Sequence, residues 1–470
     1  MSIADSTGVD SIHPNVLGTL GSTPLVRLNR VKDGLEADLV AKVEFFNPGG
    51  SVKDRIGLAI IEDAERSGKL KPGGTIVEAT SGNTGVGLAI AAAIKGYRTV
   101  FVMPDKMSRE KIQVLRAFSS RVVITPTAVE PDDPRSYYSV ARQIVASTPN
   151  SILANQYHNP VNPQAHYETT GPEIWQQTGG RVDVFVAGMG TGGTISGAGR
   201  YLKEQNPAIQ IVGVDPEGSI LHDYFHTGQI GEAHTYRVEG IGEDFLPGTT
   251  DFSVIDDIVR VTDQESFFMT RRLVREEGLF VGGSCGAAVV GALKYMRSHQ
   301  LGRDQRVVVL LPDSGTRYLS KVFDDDWMRE NGFFTRDWCQ AVVGDVLRAK
   351  PHRDLIAVAP DDRMSSVIAL MKSHGISQAP VLENGTLRGI VREIDLLEHM
   401  LLADHEHTPD ETIREIVSPN VVTASPEMPL EMLMSLISEG DVVLVVEGDD
   451  MLTGILSKID VLDYIVNHCL

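Results

Sequence analysis

The sequence predicts an α/β protein: a large region with parallel sheets over residues 1–325, followed by a smaller α+β region over residues 343–470. In the first region, near-continuous apolar runs alternate with helical stretches, which is typical of a parallel sheet covered on both faces. In the second region, the chain matches itself at a shift of 65 residues. A chain of 470 residues is also too long for one compact core, which favours several domains.

Strands and helices alternate in the first region. The predicted strands are 75–80, 97–104, 121–127, 181–190, 209–217 and 305–315. The predicted helices are 54–64, 86–96 and 108–118. Because parallel sheets bind ligands at the carboxyl ends of their strands, we expect two lobes with the site between them.

Charge and composition indicate a boundary near residue 335. Residues 336–470 carry 10 basic and 23 acidic side chains, whereas the preceding 335 residues carry 33 and 40. We therefore predict a linker over 326–342. It contains four aromatic residues, which suggest that it packs against another part of the chain: Trp327, Phe333, Phe334 and Trp338.

The repeat in the second region aligns approximately residues 343–403 with 408–468. The shift pairs Gly389 with Gly454 and Asp395 with Asp460. Each copy is predicted to form a helix, a glycine turn, two strands and a second helix. Two copies are too few for a solenoid, so we expect a pair packed about a pseudo-two-fold axis.

Composition excludes several functions. A net charge of −20 argues against a nucleic-acid surface and an anionic membrane. No apolar run is long enough to span a bilayer, and the first residues have no signal-peptide pattern. Three cysteines, Cys285, Cys339 and Cys469, fit a reducing, cytoplasmic setting and have no metal-ligand spacing, so we predict no metal site.

The first motif runs from Asn47 to Arg55 and reads NPGGSVKDR. Its Pro-Gly-Gly turn presents Lys53 at the start of a helix, where the helix dipole disfavours an ammonium. A lysine bonds an aldehyde only when its amine is uncharged, so this placement suits a nucleophilic lysine. A lone lysine at such a position is more often simply solvated.

The second motif, 80–85, reads TSGNTG and lies between a strand and a helix. Its backbone N–H groups and hydroxyls form a nest for a carboxylate, which suits the α-carboxylate of an amino acid. By itself such a run is more often a plain helix-capping turn. The residues that we expect to bind substrate here are Thr80, Ser81, Gly82 and Thr84.

Two further glycine-rich motifs follow. Residues 188–194 read GMGTGGT after a strand, and suit a phosphate because glycine allows close backbone approach and threonine adds donors. Taken alone, this run equally fits a dinucleotide site. Residues 282–287 read GGSCGA. Taken alone, a serine such as Ser284 in this run is most commonly a helix N-cap.

The four motifs, in this order, resemble the type II pyridoxal-phosphate enzymes, and the resemblance covers residues 19–325. It implies their two-lobed fold, a cofactor held by Lys53, and Lys53 as the catalytic base. It also implies that Asn83 contacts the ring hydroxyl and that the hydroxyl of Ser284 bonds the pyridine nitrogen. The resemblance assigns the cofactor phosphate to Gly190, Thr191, Gly192, Gly193 and Thr194.

Residues 156–170 resemble the cysteine synthase/cystathionine β-synthase branch of this family, which implies substrate contacts at Gln156 and Tyr157. The loop 239–245 carries acids where cysteine synthases usually have an amide and small residues, so a carboxylate of this loop is expected to meet the ammonium of homocysteine. The candidate substrate contacts in the loop are Glu239 and Gly240. A solvated loop is an equally good interpretation of these acids. We expect serine and homocysteine to give cystathionine and water; the alternative is cysteine synthesis from O-acetylserine and sulfide.

The repeated region resembles the paired CBS motifs of a Bateman module. Ser457 and Asp460 match the hydroxyl-then-carboxylate signature whose acid holds ribose hydroxyls. The first copy keeps Asp395 but has Arg392 in place of the hydroxyl, and Ser377 stands where relatives that bind S-adenosylmethionine have an acid. We expect an adenosyl ligand such as S-adenosylmethionine; a degenerate pair that only stabilises an oligomer is the alternative.

Two further expectations concern haem and assembly. Animal members of this branch bind haem through Cys and His in an amino-terminal extension, whereas this chain has only His13 there, so we predict no haem. We expect a homo-oligomer, a dimer or tetramer. A nucleotide-sensing scaffold with an inactive catalytic region is the non-enzyme alternative, and the intact Lys53, Asn83 and Ser284 speak against it.

Overall fold

The structure is a computed structural model. It describes residues 12–468 except 33, 81, 106, 108, 127–128, 130–132, 335–340, 351–354, 402–407, 409, 440–441 and 449–450. The described residues divide into two compact units. The first runs to Phe323, apart from the short segments Arg30–Ala37 and Met296–Arg303, which group with the second unit from Asp324 onward.

The first unit alternates strands and helices. Its strands are β1 Leu25–Arg27, β2 Asp38–Val43, β3 Thr75–Ala79, β4 Arg98–Pro104, β5 Arg121–Thr125, β6 Ser151–Leu153, β7 Val184–Gly188, β8 Gln210–Pro216, β9 Asp257–Val261 and β10 Arg306–Leu311. The helices that begin in it are α1 Lys53–Arg66, α2 Asn83–Lys95, α3 Arg109–Ala117, α4 Tyr137–Ser147, α5 Val161–Glu168, α6 Thr170–Gln177, α7 Gly193–Gln205, α8 Leu221–Thr227, α9 Asp263–Glu277 and α10 Gly283–Ser298. Every predicted strand and helix of this region is confirmed.

These strands form two sheets. One has the order β1-β2-β10-β7-β8-β9, with only β1 antiparallel, and the other has the order β5-β4-β3-β6, wholly parallel. Strands such as β3 and β7 are almost fully buried, because helices cover both faces of a parallel sheet. The predicted α/β architecture with parallel sheets is confirmed.

Helices α1 and α2 pack with unusually close backbones. A Cβ added at Gly57 would lie 2.7 Å from the carbonyl oxygen of Gly87, and one added at Gly87 would lie 2.6 Å from the carbonyl oxygen of Lys53. Only glycine permits this approach, since an added methyl would collide with backbone. The two glycines therefore fix Lys53 against α2.

The second unit contains a separate sheet. Its helices are α11 Asp325–Glu330, α12 Val343–Ala349, α13 Met364–His374, α14 Glu393–Leu401, α15 Leu430–Glu439 and α16 Lys458–His468. Its strands are β11 Gln378–Glu383, β12 Thr386–Arg392, β13 Thr423–Ala424, β14 Val442–Glu447 and β15 Met451–Ser457, in the order β11-β12-β15-β14-β13. The predicted repeat of helix, two strands and helix is confirmed as α13-β11-β12-α14 and α15-β14-β15-α16.

Local chemistry explains the hairpin of the first repeat. Asn384 and Gly385 both have positive φ, 54° and 82°, between β11 and β12. An Asn-Gly pair is the preferred two-residue turn for antiparallel strands, because its twist matches theirs. In the predicted linker, α11 carries Trp327, whose ring lies 5.8 Å from that of Phe333; Trp338 lies outside the described residues.

Among the described residues, no helix combines the length and apolar character that a membrane crossing requires.

Candidate active site

Lys53 is the first residue of α1, directly after the Pro-Gly-Gly turn. Asp54 holds this turn by accepting the Gly49 N–H at 2.6 Å, and the Val52 N–H donates to the Pro312 carbonyl at 2.8 Å. Burial lowers the pKa of Lys53 to about 8, although the nearby charges of Glu243 and Asp313 partly oppose this. About a tenth of such amines are uncharged at pH 7. The amine is therefore suited to attack a carbonyl.

Asp313 was missed by the sequence analysis and lies at the centre of the site. Its buried carboxylate accepts from Asn83 Nδ2 at 2.8 Å and from the Tyr318 hydroxyl at 2.6 Å. Arg317 donates to the Asn83 amide oxygen. Because the amide oxygen and one amide N–H of Asn83 are both hydrogen-bonded, the orientation of the amide is fixed and its second N–H can bind a ligand. The signal was available, because Asp313 lies near the carboxyl end of the predicted strand 305–315.

A buried ionic cluster supports the start of α1. Arg55 donates to Glu44 at 2.7 and 2.9 Å and to Glu173 at 2.6 and 2.7 Å, and Lys42 donates to Glu173 at 2.7 Å. Asn47 of the turn also donates to Glu44 at 2.8 Å. Buried charges are stable only when paired in this way. The cluster ties the lysine-bearing turn to β2 and α6.

The predicted carboxylate nest precedes α2. Thr80 Oγ1 accepts the Gly82 N–H at 3.1 Å, and Thr84 Oγ1 donates to Gln156 Oε1 at 2.5 Å. The structure thus brings two predicted substrate residues, Thr84 and Gln156, into contact. Ser81 lies outside the described residues.

Glu78, at the end of β3, holds the segment that carries Gln156. Its carboxylate oxygens accept the N–H of Asn155 at 2.6 Å and of Gln156 at 3.1 Å. Burial raises the pKa of Glu78 to about 7, and these two hydrogen bonds only partly offset that rise. This role of Glu78 was missed by the sequence analysis, because Glu78 lies in an apolar run.

The glycine-rich loop runs from the end of β7 to the start of α7. Thr191 accepts from Asn162 Nδ2 at 3.0 Å, and its carbonyl accepts from the Thr249 hydroxyl at 2.5 Å. A Cβ at Gly190 would lie 2.6 Å from the Gly240 carbonyl oxygen, and Gly192 has a φ of 76°. The packing of the chain itself therefore requires glycine at both positions. From the sequence, we had attributed these glycines to the close approach of a phosphate.

The amino terminus of α7 begins at Gly193 and supplies unsatisfied backbone N–H groups, as every helix does in its first turn. Thr194 lies in that turn, and its hydroxyl oxygen is 3.1 Å from His166 Nε2. Burial lowers the pKa of His166 well below its usual value, so this histidine is neutral. The loop and helix start together offer donors to an anion.

Ser284 is buried at the start of α10. Because α10 begins at Gly283, Ser284 is the second residue of the helix and not its N-cap. The preceding Gly282 N–H donates to the Asp313 carbonyl at 3.3 Å, which sets the helix start beside Asp313.

Glu239 lies in the loop that the sequence assigned to a second substrate. Its two carboxylate oxygens accept from Lys111 and Lys321. These lysines hold the pKa of Glu239 below its usual value although burial raises it. Gly240 contributes its carbonyl to the packing against Gly190.

The residues present fit pyridoxal phosphate. A buried lysine with a lowered pKa suits its aldehyde, the α7 amino terminus with its hydroxyls suits its phosphate, and the oriented Asn83 amide suits its ring hydroxyl. The buried hydroxyl of Ser284 suits a neutral ring nitrogen.

The paired-motif residues lie in the second unit. Ser457 donates to Asp460 Oδ2 through its N–H and its hydroxyl, both at 2.7 Å, and Lys350 donates to the same oxygen at 3.0 Å. In the first repeat, Arg392 donates to Asp395 from Nε at 3.0 Å and from Nη2 at 2.9 Å. The structure thus joins Ser457 to Asp460 in the second repeat, and in the first repeat Asp395 is held by the arginine that replaces the hydroxyl.

Comparison with known families agrees with this geometry. Residues 16–313 match the family model described as pyridoxal-phosphate dependent enzyme, and residues 343–402 and 413–467 each match the CBS domain. The chain belongs to the pyridoxal-phosphate-dependent enzymes and carries two CBS domains. Within that class, its relatives support an enzyme of β-replacement.

Three relatives place the chain more narrowly. It is 40% identical to a cystathionine beta-synthase of Dictyostelium discoideum over 97% of this chain and 93% of that protein. It is 46% identical to the Mus musculus cystathionine beta-synthase over 83% of this chain and 70% of that protein. The structure of an O-acetylserine dependent cystathionine beta-synthase from Helicobacter pylori matches 66% of this chain and 98% of that chain, with a TM-score of 0.60 and 40% identity.

Proposed function

We propose that this enzyme condenses L-serine with L-homocysteine to form L-cystathionine and water. The observation that carries the proposal is the buried amine of Lys53, whose pKa is about 8. The predicted carboxylate-binding residues support it, because Thr84 is hydrogen-bonded to Gln156. The names of its relatives from Dictyostelium and mouse support the same reaction.

Each part of the reaction is assigned to particular residues of the chain. Bound pyridoxal phosphate supplies an electron sink for charge that develops at Cα. The nest at Thr80–Thr84 binds the serine carboxylate through backbone N–H groups. The Lys53 amine takes the proton from Cα and later returns it to the same carbon. Asn83 and Ser284 hold the ring, and the start of α7 holds the phosphate.

Replacing Lys53 tests the assignment. Lys53→Ala should lower turnover by at least about a thousandfold and should remove the visible absorbance of the lysine-bound cofactor. Lys95→Ala, which removes a half-buried lysine paired with Glu65, should keep both. Borohydride reduction followed by peptide mapping should label residue 53. A label on another lysine contradicts the proposal.

Donor and acceptor assays test the substrates. Purified enzyme should form cystathionine from serine and homocysteine faster than it forms cysteine from O-acetylserine and sulfide. The Helicobacter relative, whose name specifies O-acetylserine, makes O-acetylserine with homocysteine the third combination to measure. A preference for sulfide over homocysteine favours the cysteine synthase alternative.

We also propose that an adenosyl ligand such as S-adenosylmethionine binds the CBS pair at Ser457 and Asp460. All three bonds to Asp460 reach Oδ2, which leaves Oδ1 for ribose hydroxyls. The excess of acidic residues after 335 favours a cationic ligand over ATP.

A melting-temperature titration tests this ligand. A concentration of 100 times Kd should stabilise the wild type by about 2.7 kcal/mol. Asp460→Ala should lose the shift, and Asp463→Ala, an exposed acid on the same helix, should retain it. An equal shift in both variants contradicts the assignment.

We further propose a homo-oligomer formed through the second unit. Helices α14 and α16 expose apolar side chains at equivalent positions of the two repeats: Ile394 and Ile459, Leu397 and Leu462, Leu401 and Val466. Contiguous exposed apolar side chains mark association surfaces. Sedimentation should give a dimer or tetramer, and a charge at Leu397 and Leu462 should reduce that mass.

We propose the reducing cytoplasm as its compartment. Cys285 supports this, because its buried thiol is free of any disulfide and burial raises its pKa well above the usual value.

A further inference from the structure

Helix α5 carries two buried polar side chains, Asn162 and His166, on one face. They are four residues apart, a spacing that aligns side chains along a helix, and both are fully buried. This face packs closely on α7. A Cβ added at Gly193 would collide with the Asn162 amide, and one added at Gly197 would collide with the backbone of α5. The two polar side chains are therefore held against the start of α7.

The orientation of the Asn162 amide is fixed by its partners. Its nitrogen donates to the Gln156 carbonyl at 2.8 Å and to Thr191 Oγ1 at 3.0 Å. Because a carbonyl oxygen can only accept, the amide nitrogen must be the atom that faces Gln156. The Thr191 hydroxyl thus accepts from Asn162, and its own proton has no acceptor among the described residues.

The amide oxygen of Asn162 indicates why an asparagine stands here. Asn162 Oδ1 is buried and has no partner in the described part of the chain. An unpaired buried acceptor costs free energy, which an apolar side chain of similar size would avoid. The two hydrogen bonds that the amide donates, and not its packing, therefore explain the residue.

The His166 ring lies between two hydroxyls. Its Nδ1 is 2.9 Å from Thr170 Oγ1, and its Nε2 is 3.1 Å from Thr194 Oγ1. Burial lowers the pKa of His166 well below its usual value, so the neutral ring has one N–H and one acceptor nitrogen. The two tautomers differ in which threonine receives a proton from the ring and which one gives a proton to it.

Thr170 distinguishes the two tautomers. It is buried, and within the described residues its hydroxyl has no partner besides His166. If Nδ1 carried the ring proton, the Thr170 proton would be buried without an acceptor, at a cost in free energy. With the proton on Nε2, Thr170 donates to Nδ1, and Nε2 donates to Thr194. The Thr194 proton then remains for a ligand.

We propose that Asn162 and His166 are positioning residues for the cofactor phosphate. Asn162 donates to Thr191 Oγ1 and His166 donates to Thr194 Oγ1, so both threonine protons are left for the anion. An anion only accepts hydrogen bonds, so a hydroxyl supports it only as a donor. The inference goes beyond the proposed reaction, because it concerns the cofactor site and holds for any amino-acid substrate.

The test compares pyridoxal phosphate with pyridoxal, which lacks the phosphate. Titration of the cofactor-free enzyme gives both dissociation constants, and their ratio measures the preference for the phosphate. His166→Leu and Asn162→Leu should each lower this preference about tenfold, the effect of one hydrogen bond to a charged group. His166→Gln keeps an N–H donor and should retain most of the preference. Gln164→Ala changes an exposed residue of α5 and should leave it unaltered.

A double variant tests whether His166 acts through Thr194. Thr194→Val removes the hydroxyl and should itself lower the preference about tenfold. Adding His166→Leu should then cause no further loss, because the group that His166 positions is already absent. Independent effects would multiply to about a hundredfold, and that result contradicts the inference.

Nitrogen NMR of the wild type tests the tautomer directly. In enzyme that contains isotope-labelled histidine, the His166 signal, identified by its loss in His166→Gln, should show the proton on Nε2. A proton on Nδ1 overturns the inference for His166. If the leucine variants weaken pyridoxal and pyridoxal phosphate equally, the two residues have a purely structural role, and if they change neither constant, the residues have no role. Both results also overturn the inference.

Discussion

Arg55→Met removes the central cation of the buried cluster that supports the start of α1. The cluster pairs Arg55 and Lys42 with Glu44 and Glu173, and the side chains of Arg55 and Glu44 are 1% and 0% exposed. Methionine fills a similar volume but has no charge. The variant therefore leaves one negative charge in excess inside the protein.

The expected loss of stability is large. Breaking a buried pair by removing one partner costs about 3–5 kcal/mol, because the remaining charge is uncompensated. At about 2 °C per kcal/mol for a large domain, the melting temperature should fall by about 6–10 °C. Arg27→Met is the matched control: Arg27 also pairs with an aspartate, at 2.6 Å, but its side chain is 59% exposed, so the loss should stay below about 1 kcal/mol.

The pH dependence identifies the cause. Burial raises the pKa of Glu44, but Arg55 holds it below its usual value. Without Arg55, the folded state takes up a proton on Glu44 that the unfolded chain releases at that pH. The stability difference between variant and wild type should therefore shrink as the pH falls from 8 to 5. Thermal unfolding across this range is the assay, and a loss below about 1 kcal/mol, or one independent of pH, refutes the reasoning.

Three further predictions follow from close packing and buried polar groups. Gly57→Ala should displace α1 from Gly87 and weaken cofactor binding, measured by equilibrium titration, whereas Gly302→Ala, which meets nothing within 4 Å, should not. Wild-type stability should fall as the pH rises through 7, because burial raises the pKa of Glu78 to about 7; Glu78→Gln should be less stable at pH 6 but should lose this pH dependence. Asn83→Ala should weaken cofactor affinity about tenfold, the worth of one hydrogen bond to a fixed partner, and an unchanged absorption titration would exclude that role.

Local signals in the sequence determined the strands, the helices and the order of the four motifs. Strand β3 was predicted because a β-branched run precedes a glycine turn, and α2 because an apolar stretch follows it. Lys53 was found because a Pro-Gly-Gly turn has few alternatives. These features depend on neighbours in the chain, so no knowledge of the fold was needed.

The polar pairing around the site was decided only by the tertiary structure. Asp313 meets Asn83 across 230 positions of sequence, and Arg55 meets Glu173 across 118. Glu239, assigned to a substrate from the sequence, meets Lys111 and Lys321, and the sequence did not predict these partners. The partner of a carboxylate cannot be identified from the sequence, because both the partner and the degree of burial are set only when distant segments pack together. The residue types fixed which chemistry was available, and the long-range packing decided which charges are neutralised and which remain for the substrate.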